Sequence, residues 1–336
     1  MKMDIVLQTD FGGDSGYAAS MYGTMKLADR ELKIYDLTHE IRPFDIRQAS
    51  GLLRRTIPFW PAETVFVSVV DPGVGTDRRA CAVRLKNGSY VVTPDNGTLT
   101  EIFDFIDEVR QIDASKNRLS ADILSQPWEQ RRPLTGKNKS QGRACEKETN
   151  GTPRRESDPS LTQSGGERLF SGGSTFDGRD LFAWCAARLA AGIIDFSEEG
   201  VGPEYRKEEI LRYVKNPPKL TEGFVECEIA DVERRFGGAA LSVSAKQLSS
   251  AGLSPGDLLH VSVRKGGTLL YEGKMRYGIS FGSVKPGEPV LYDGSAEGAA
   301  CISLNRDHFA ERCLPSLCRR GEEFSDYKVS IRRMTE

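Results

Sequence analysis

The sequence predicts an α/β N-terminal domain with a largely parallel sheet and a C-terminal small β-barrel domain. Three observations carry this. Over the first hundred residues, short apolar runs alternate with segments of helical spacing, the pattern of strands joined by helices. Three of those runs end in Asp- and Gly-rich turns. From Gly223 onward the character changes to short runs rich in β-branched residues, separated by Gly and Pro turns.

In chain order, Asp4–Thr9 reads as a strand ending in Asp10-Phe11-Gly12-Gly13-Asp14. Ser15–Ala28 follows with helical spacing at Tyr17, Met21, Met25 and Ala28. Lys33–Leu37 is a second strand, and Asp45–Ile57 a helix ended by Pro58. Thr64–Val70 is a buried strand running into Asp71-Pro72-Gly73-Val74-Gly75. Tyr90–Thr93 is another, ending in Pro94-Asp95-Asn96-Gly97, and Leu99–Ile106 reads as helical. Leu181–Ala191 carries a strong helical pattern, with Ser174 or Thr175 placed to cap it and Gly192 to end it. Phe224–Val232, Ala240–Ser244, Leu258–Val263, Thr268–Lys274 and Val290–Tyr292 are strands of the barrel, and Gly266-Gly267 reads as a hairpin turn.

Composition sets the domain plan. Between 117 and 166 there are six large apolar side chains, with nine Lys/Arg against six Asp/Glu. Such a segment buries too little surface to offset its ordering entropy, so it is expected to be a disordered insertion in an N-terminal domain spanning 1–196. Residues 197–222, charged and proline-containing, read as a linker. The barrel is expected over 223–318 and a frayed charged tail over 319–336. The 46 Lys/Arg nearly balance the 48 Asp/Glu, which excludes a globally basic nucleic-acid binder. No apolar run reaches the length of a membrane span, the N-terminus lacks the plan of a signal peptide, and the seven scattered cysteines form no C-x-x-C pair. A cytoplasmic protein with reduced thiols is expected.

In an open α/β sheet, ligands bind beyond the carboxyl ends of the strands. Asp10, Asp71 and Asp95-Asn96 all fall there; taken singly, each loop is better read as turn chemistry, but the three together point to a shared site. The stretch from Asp71 to Arg78 is the most informative. It joins a carboxylate at a strand end, a glycine turn and a guanidinium seven residues later. It is not a Walker A loop, and Asp10-Phe11-Gly12-Gly13 is not a dinucleotide fingerprint. His39, His260 and His308 lie at no metal-ligand spacing from one another, and no G-x-S-x-G elbow occurs.

Taken in order, Asp10-Phe11-Gly12 with Asp14, Tyr17, Met21 and Gly23, then Asp36-Leu37-Thr38-His39, Val69 to Thr76, Pro94 to Gly97, and Ser174 to Asp180 resemble the S-adenosylmethionine hydroxide adenosyltransferase family, relatives of the fluorinating and chlorinating enzymes. The resemblance spans nearly all of the N-terminal domain outside the insertion and is poorer in the C-terminal one. It implies hydrolysis of S-adenosylmethionine to adenosine and methionine by attack of water or hydroxide on the ribose C5′, without metal or cofactor. It also implies a homotrimer with each site between two subunits. Asp71 and Arg78 would hold the attacking water, with Asp177 beside them. Asp10 would bind the ribose hydroxyls. Phe11, Phe44, Asn96, Phe176 and Gly178 would line the substrate, and Asp14 would hold its amino-acid end.

Three departures from the family pattern stand out. Asp177 replaces a histidine of the family's water-organising triad, and two close carboxylates would tend to share a proton. Glu233 with Phe236 takes the place of the family's Asp and Phe in the C-terminal substrate motif, whose Asn is Gly238 here. Glu297 falls in the loop that would hold adenine. Two other readings remain open: a binding protein that kept the nucleoside pocket and lost catalysis, and a halogenase. A carboxylate at position 71 would repel a halide ion, which favours hydroxide.

Overall fold

The computed structural model describes residues 2–120, 123, 131–134, 176–233, 235–294, 299–318, 322 and 324–334. The chain forms two compact units, one of residues 1–53 and 59–212, the other of residues 54–58 and 213–336.

The first unit is built on a six-stranded sheet. β1 (Ile5–Thr9), β2 (Ile34–Thr38), β3 (Val65–Val69), β4 (Ala80–Leu85), β5 (Tyr90–Pro94) and β6 (Ile106–Gln111) lie in the order β2-β1-β3-β5-β4-β6. β2, β1, β3 and β5 are mutually parallel, while β4 runs antiparallel to β5 and β6. β1 and β3 are buried along their whole length, which is why they read as continuous apolar runs rather than alternating ones. Helix α1 (Tyr17–Ala28) buries Met21, Met25 and Ala28. It packs with a π-helical turn (Gly178–Ala183) that continues into the helix Trp184–Ala190, and these elements share one core with β1 and β3. Gly192 ends that helix in the left-handed region as expected. Ser174 and Thr175 lie outside the described residues.

Several local expectations are corrected. Leu99–Ile106 is not a helix. It is a run of turns with a short 3-10 segment (Phe103–Phe105) leading into β6. Leu99 and Ile102 are buried there and imitate helical spacing. β4 went unread because its six residues follow the Asp71–Arg78 loop with no turn signal between them. Residues 197–212 are no linker. Val201 is fully buried in the first unit's core, and the backbone of 201–205 bonds to β6 and the residues just after it. Most of 117–166 lies outside the described residues, but its start is packed: Asn117 and Leu119 are buried.

The second unit is a closed barrel. β8 (Phe224–Val232), β9 (Ala239–Ser244), β13 (Ala299–Leu304), β12 (Pro289–Asp293), β11 (Thr268–Tyr277), β10 (Leu258–Lys265) and β14 (Tyr327–Arg333) follow one another, and β14 pairs back onto β8. β7 (Lys219–Thr221) adds to β8 from outside the ring. Gly266 and Gly267 both have positive φ between β10 and β11, the geometry of a tight hairpin. The charged tail is the main correction. Its residues Tyr327, Val329 and Ile331 are fully buried while Lys328 and Arg332 point outward, and the strand they form closes the barrel. Among the described residues, no helix is long and apolar enough to cross a membrane, and the six cysteines are free.

A closing strand tolerates a cavity poorly. Ile331→Ala is expected to lower the unfolding free energy of this unit by about 2–5 kcal/mol, measured by urea denaturation. A frayed tail would give less than about 0.5 kcal/mol.

Candidate active site

Asp71 stands two residues past the end of β3, where the buried strand delivers it to the sheet's carboxyl edge. The loop after it is tied by its own backbone. Val74 N–H donates to the Asp71 carbonyl at 3.3 Å, Thr76 N–H to Gly73 at 3.1 Å, and the Thr76 hydroxyl to the same Gly73 carbonyl at 2.7 Å. The chain thereby doubles back and lays Arg78 on Asp71. Arg78 Nε donates to Asp71 Oδ1 at 3.1 Å and Oδ2 at 2.9 Å, and Nη2 donates to Oδ2 at 2.6 Å.

The same Nη2 reaches Asp177 Oδ2 at 2.6 Å, and Arg118 Nη2 donates to Asp177 Oδ1 at 2.8 Å. The side chains of Asp71, Asp177 and Arg78 are 6%, 7% and 11% exposed, while that of Arg118 is 34% exposed. Burial works against the charge on Arg78, but its hydrogen bonds and attraction to Asp71 and then Asp177 prevail, and its pKa rises. Two guanidiniums therefore face the two carboxylates. Arg118 was missed because it fell inside a stretch read by composition as an excursion; its only local signal is the flanking Leu119.

Asp10 follows β1 and accepts the Phe44 backbone N–H on Oδ2 at 2.8 Å. Burial raises the Asp10 carboxyl above the usual range, the Phe44 bond opposes that, and the charge of Asp71 adds to it. Phe44 is 69% exposed and sits at φ +68°, a sparsely populated conformation for a bulky residue. The turn is held there by Asp45 N–H on the Arg42 carbonyl at 2.9 Å and by the Arg42–Asp45 ion pair. Phe11, Tyr17 and Phe176 form an edge-to-face cluster with ring centroids 5.1–5.8 Å apart. Gly178 permits it: a Cβ there would stand 3.2 Å from both the Phe11 ring and Val69, and 3.3 Å from the Phe176 ring.

Other expected residues are placed differently. Asp95 does not join Asp10 and Asp71. Its carboxylate is fully buried, bonded to Arg79, the Tyr205 hydroxyl and Leu211 N–H, and anchors the 197–212 segment. The Asn96 amide donates to the Val70 carbonyl at 2.9 Å and accepts from the Thr98 hydroxyl at 2.8 Å, so it braces the chain just before Asp71 rather than offering free groups. Asp14 is exposed. His39 lies between the Thr9 hydroxyl at 2.8 Å and the Tyr22 hydroxyl at 2.7 Å. Glu233 and Phe236 belong to the second unit, in the turn after β8. There the Glu233 carboxylate accepts the Phe236 backbone N–H at 2.5 Å, and Phe236 is 73% exposed. Glu297 lies outside the described residues. Among the described residues, no group of three His, Cys, Asp or Glu is disposed to hold a metal ion.

A buried carboxyl whose native pKa is raised weakens the fold where it is ionised. Asp10→Asn is therefore expected to match or exceed the parent in melting temperature at pH 7. The difference should close as pH falls through the Asp10 titration, where the parent carboxyl becomes neutral. Thermal unfolding from pH 3 to 8 checks this; a loss of stability at pH 7 would contradict it.

Residues 5–131 match the model of the SAM hydroxide adenosyltransferase N-terminal domain. A Thermus thermophilus protein named (R)-S-adenosyl-L-methionine hydrolase is 32% identical over 300 residues, covering 89% of this chain and 90% of its own. A fluorinase of Actinopolyspora mzabensis is 23% identical, over 76% of this chain and 77% of its own. An uncharacterized conserved protein from Thermotoga maritima superimposes with a TM-score of 0.71 at 27% identity, covering 98% of this chain and all of its own. This chain belongs to the S-adenosylmethionine hydroxide adenosyltransferase family.

Proposed function

We propose that the protein is a hydrolase that converts S-adenosyl-L-methionine and water to adenosine and L-methionine. The observation that carries the reading is the buried Asp71–Arg78 couple at the end of β3, beside Asp10. A water oxygen forms a bond to the ribose C5′ as the C5′–S bond breaks in line with it. The bonding pair stays on sulfur, which leaves as a neutral thioether, so no general acid, metal or cofactor is required. The water's proton passes to Asp71 and on to solvent. Asp71 Oδ1, which receives only the longer Arg78 bond, is the acceptor, and the guanidinium fixes its direction. Both oxygens of Asp177 are engaged by guanidiniums, so Asp177 positions Arg78.

Asp10 is assigned to the ribose hydroxyls, and Phe44 to a face of the substrate. Phe11, Tyr17 and Phe176 offer π-faces suited to adenine or to a sulfonium. Glu233 is assigned to the substrate ammonium on a neighbouring copy's second unit. That arrangement requires the homotrimer, and free thiols fit a cytoplasmic setting. With both carboxylates matched by guanidiniums the cluster offers a halide no net positive charge to offset its loss of hydration, which supports water as the nucleophile.

Product analysis of S-adenosylmethionine incubated with the protein, with and without chloride, tests the reaction. Adenosine and methionine are expected in equal amounts, with no 5′-chloro-5′-deoxyadenosine. Asp71→Asn is expected to lower kcat by about 10²–10⁴-fold. Tight binding in calorimetry without turnover would select the binding-protein reading instead. Light scattering after size exclusion should give three times the 37.1 kDa chain mass; a monomer that turns over would overturn the shared site.

A further inference from the structure

We infer that Arg118 is a positioning residue of the active site, acting through Asp177 to keep Arg78 on Asp71. The inference rests on the hydrolase reading above and extends it to a residue outside the Asp71–Arg78 loop.

The argument begins with charge. One Arg78 nitrogen, Nη2, serves both carboxylates at 2.6 Å. Asp71 and Asp177 therefore compete for one guanidinium in a setting with little water to screen them. Arg118 ends the competition by occupying the other Asp177 oxygen at 2.8 Å. Without it, Asp177 would carry a charge opposed by Arg78 alone and would draw that side chain off Asp71.

Arg118 is also built into the fold rather than swinging on the surface. On one side Asn117 is fully buried, its amide donating to the Gly200 and Val201 carbonyls at 3.0 and 2.9 Å. Arg188 Nη1 donates to the Asn117 side-chain oxygen at 3.0 Å. On the other side Leu119 is buried, and its N–H donates to the Asp180 carbonyl at 2.7 Å, within the same π-helical turn that follows Asp177. Both neighbours are clamped, so the guanidinium is delivered to Asp177 with little freedom left to lose. The pair is joined by Arg78, which carries Asp71 with it, while the neighbouring charges of the π-helical turn are paired with each other. Arg179 bonds to Asp180 at 2.6 Å.

The test is a double-mutant cycle on the full-length protein. Arg118→Gln should lower kcat roughly 10- to 100-fold while KM changes less than about threefold, because Arg118 touches Asp177 and not the substrate. Arg118→Lys should recover part of kcat. In an Asp177→Asn background the competing charge is gone, and the same Arg118→Gln change should lower kcat less than about threefold further, a non-additive cycle. If Arg118 only anchored its backbone segment, the loss would be equal in both backgrounds and would follow melting temperature, which overturns the inference. So does an Arg118→Gln protein with the parent's kcat. A parent protein with no turnover would instead defeat the hydrolase reading itself.

Discussion

The arrangement depends on one guanidinium shared by two carboxylates. Ions removed from water are destabilising unless each is paired and hydrogen-bonded, and breaking a buried pair by deleting one partner costs about 3–5 kcal/mol. Asp71, Arg78 and Asp177 meet that condition only together, with Arg118 as the fourth member. The constraint reaches back into the fold. β3 must end where it does, the Gly73–Thr76 turn must fold the chain back, and the π-helical turn must begin beside Asp177. The segment after the short helix Ala114–Asn117 must be pinned on both sides. Arginine suits the shared position because its planar fork can meet two acceptors at once, which an ammonium cannot do in fixed geometry.

The parallel half of the sheet was legible in the sequence because strands covered on both faces consist of little but apolar residues, as Ile5–Thr9 and Val65–Val69 do. The Asp71–Arg78 couple was legible too, since carboxylate and guanidinium stand in one motif, with glycines between them that let the chain turn back. What escaped reading shares a cause: the decisive contacts are remote in sequence. Arg118 meets Asp177 across 59 positions, inside a stretch whose composition is dominated by the polar residues that follow. β14 has clean two-residue alternation, yet the charge on its outward face concealed the buried row Tyr327, Val329 and Ile331. Asp95 illustrates the opposite error. It has the right residue at the right strand end, but its carboxylate is taken up by Arg79, Tyr205 and Leu211 N–H, so position at the carboxyl edge does not specify what a side chain bonds to.

Asp71, Arg78, Asp177 and Arg118 carry two formal negative and two formal positive charges, so the cluster they form is neutral overall. In the proposed reaction such a neutral cluster does not draw in an anion, and Asp71 is the group assigned to the water. Asp10 lies close enough that the charge of Asp71 adds to the rise that its own burial gives its pKa.

Asp10 and Phe44 show how the fold accommodates this. A partly buried carboxylate and a bulky residue at φ +68° each weaken the native state, and they are joined by a single backbone hydrogen bond. The Phe44 conformation is retained because the Arg42–Asp45 turn overdetermines it. Its effect is to send the aromatic ring outward while its N–H points back at Asp10. A residue with ordinary φ could not do both, since the N–H and the side chain would no longer diverge in this way. The strain thus belongs to the same geometry that aims the Phe44 N–H at Asp10 Oδ2.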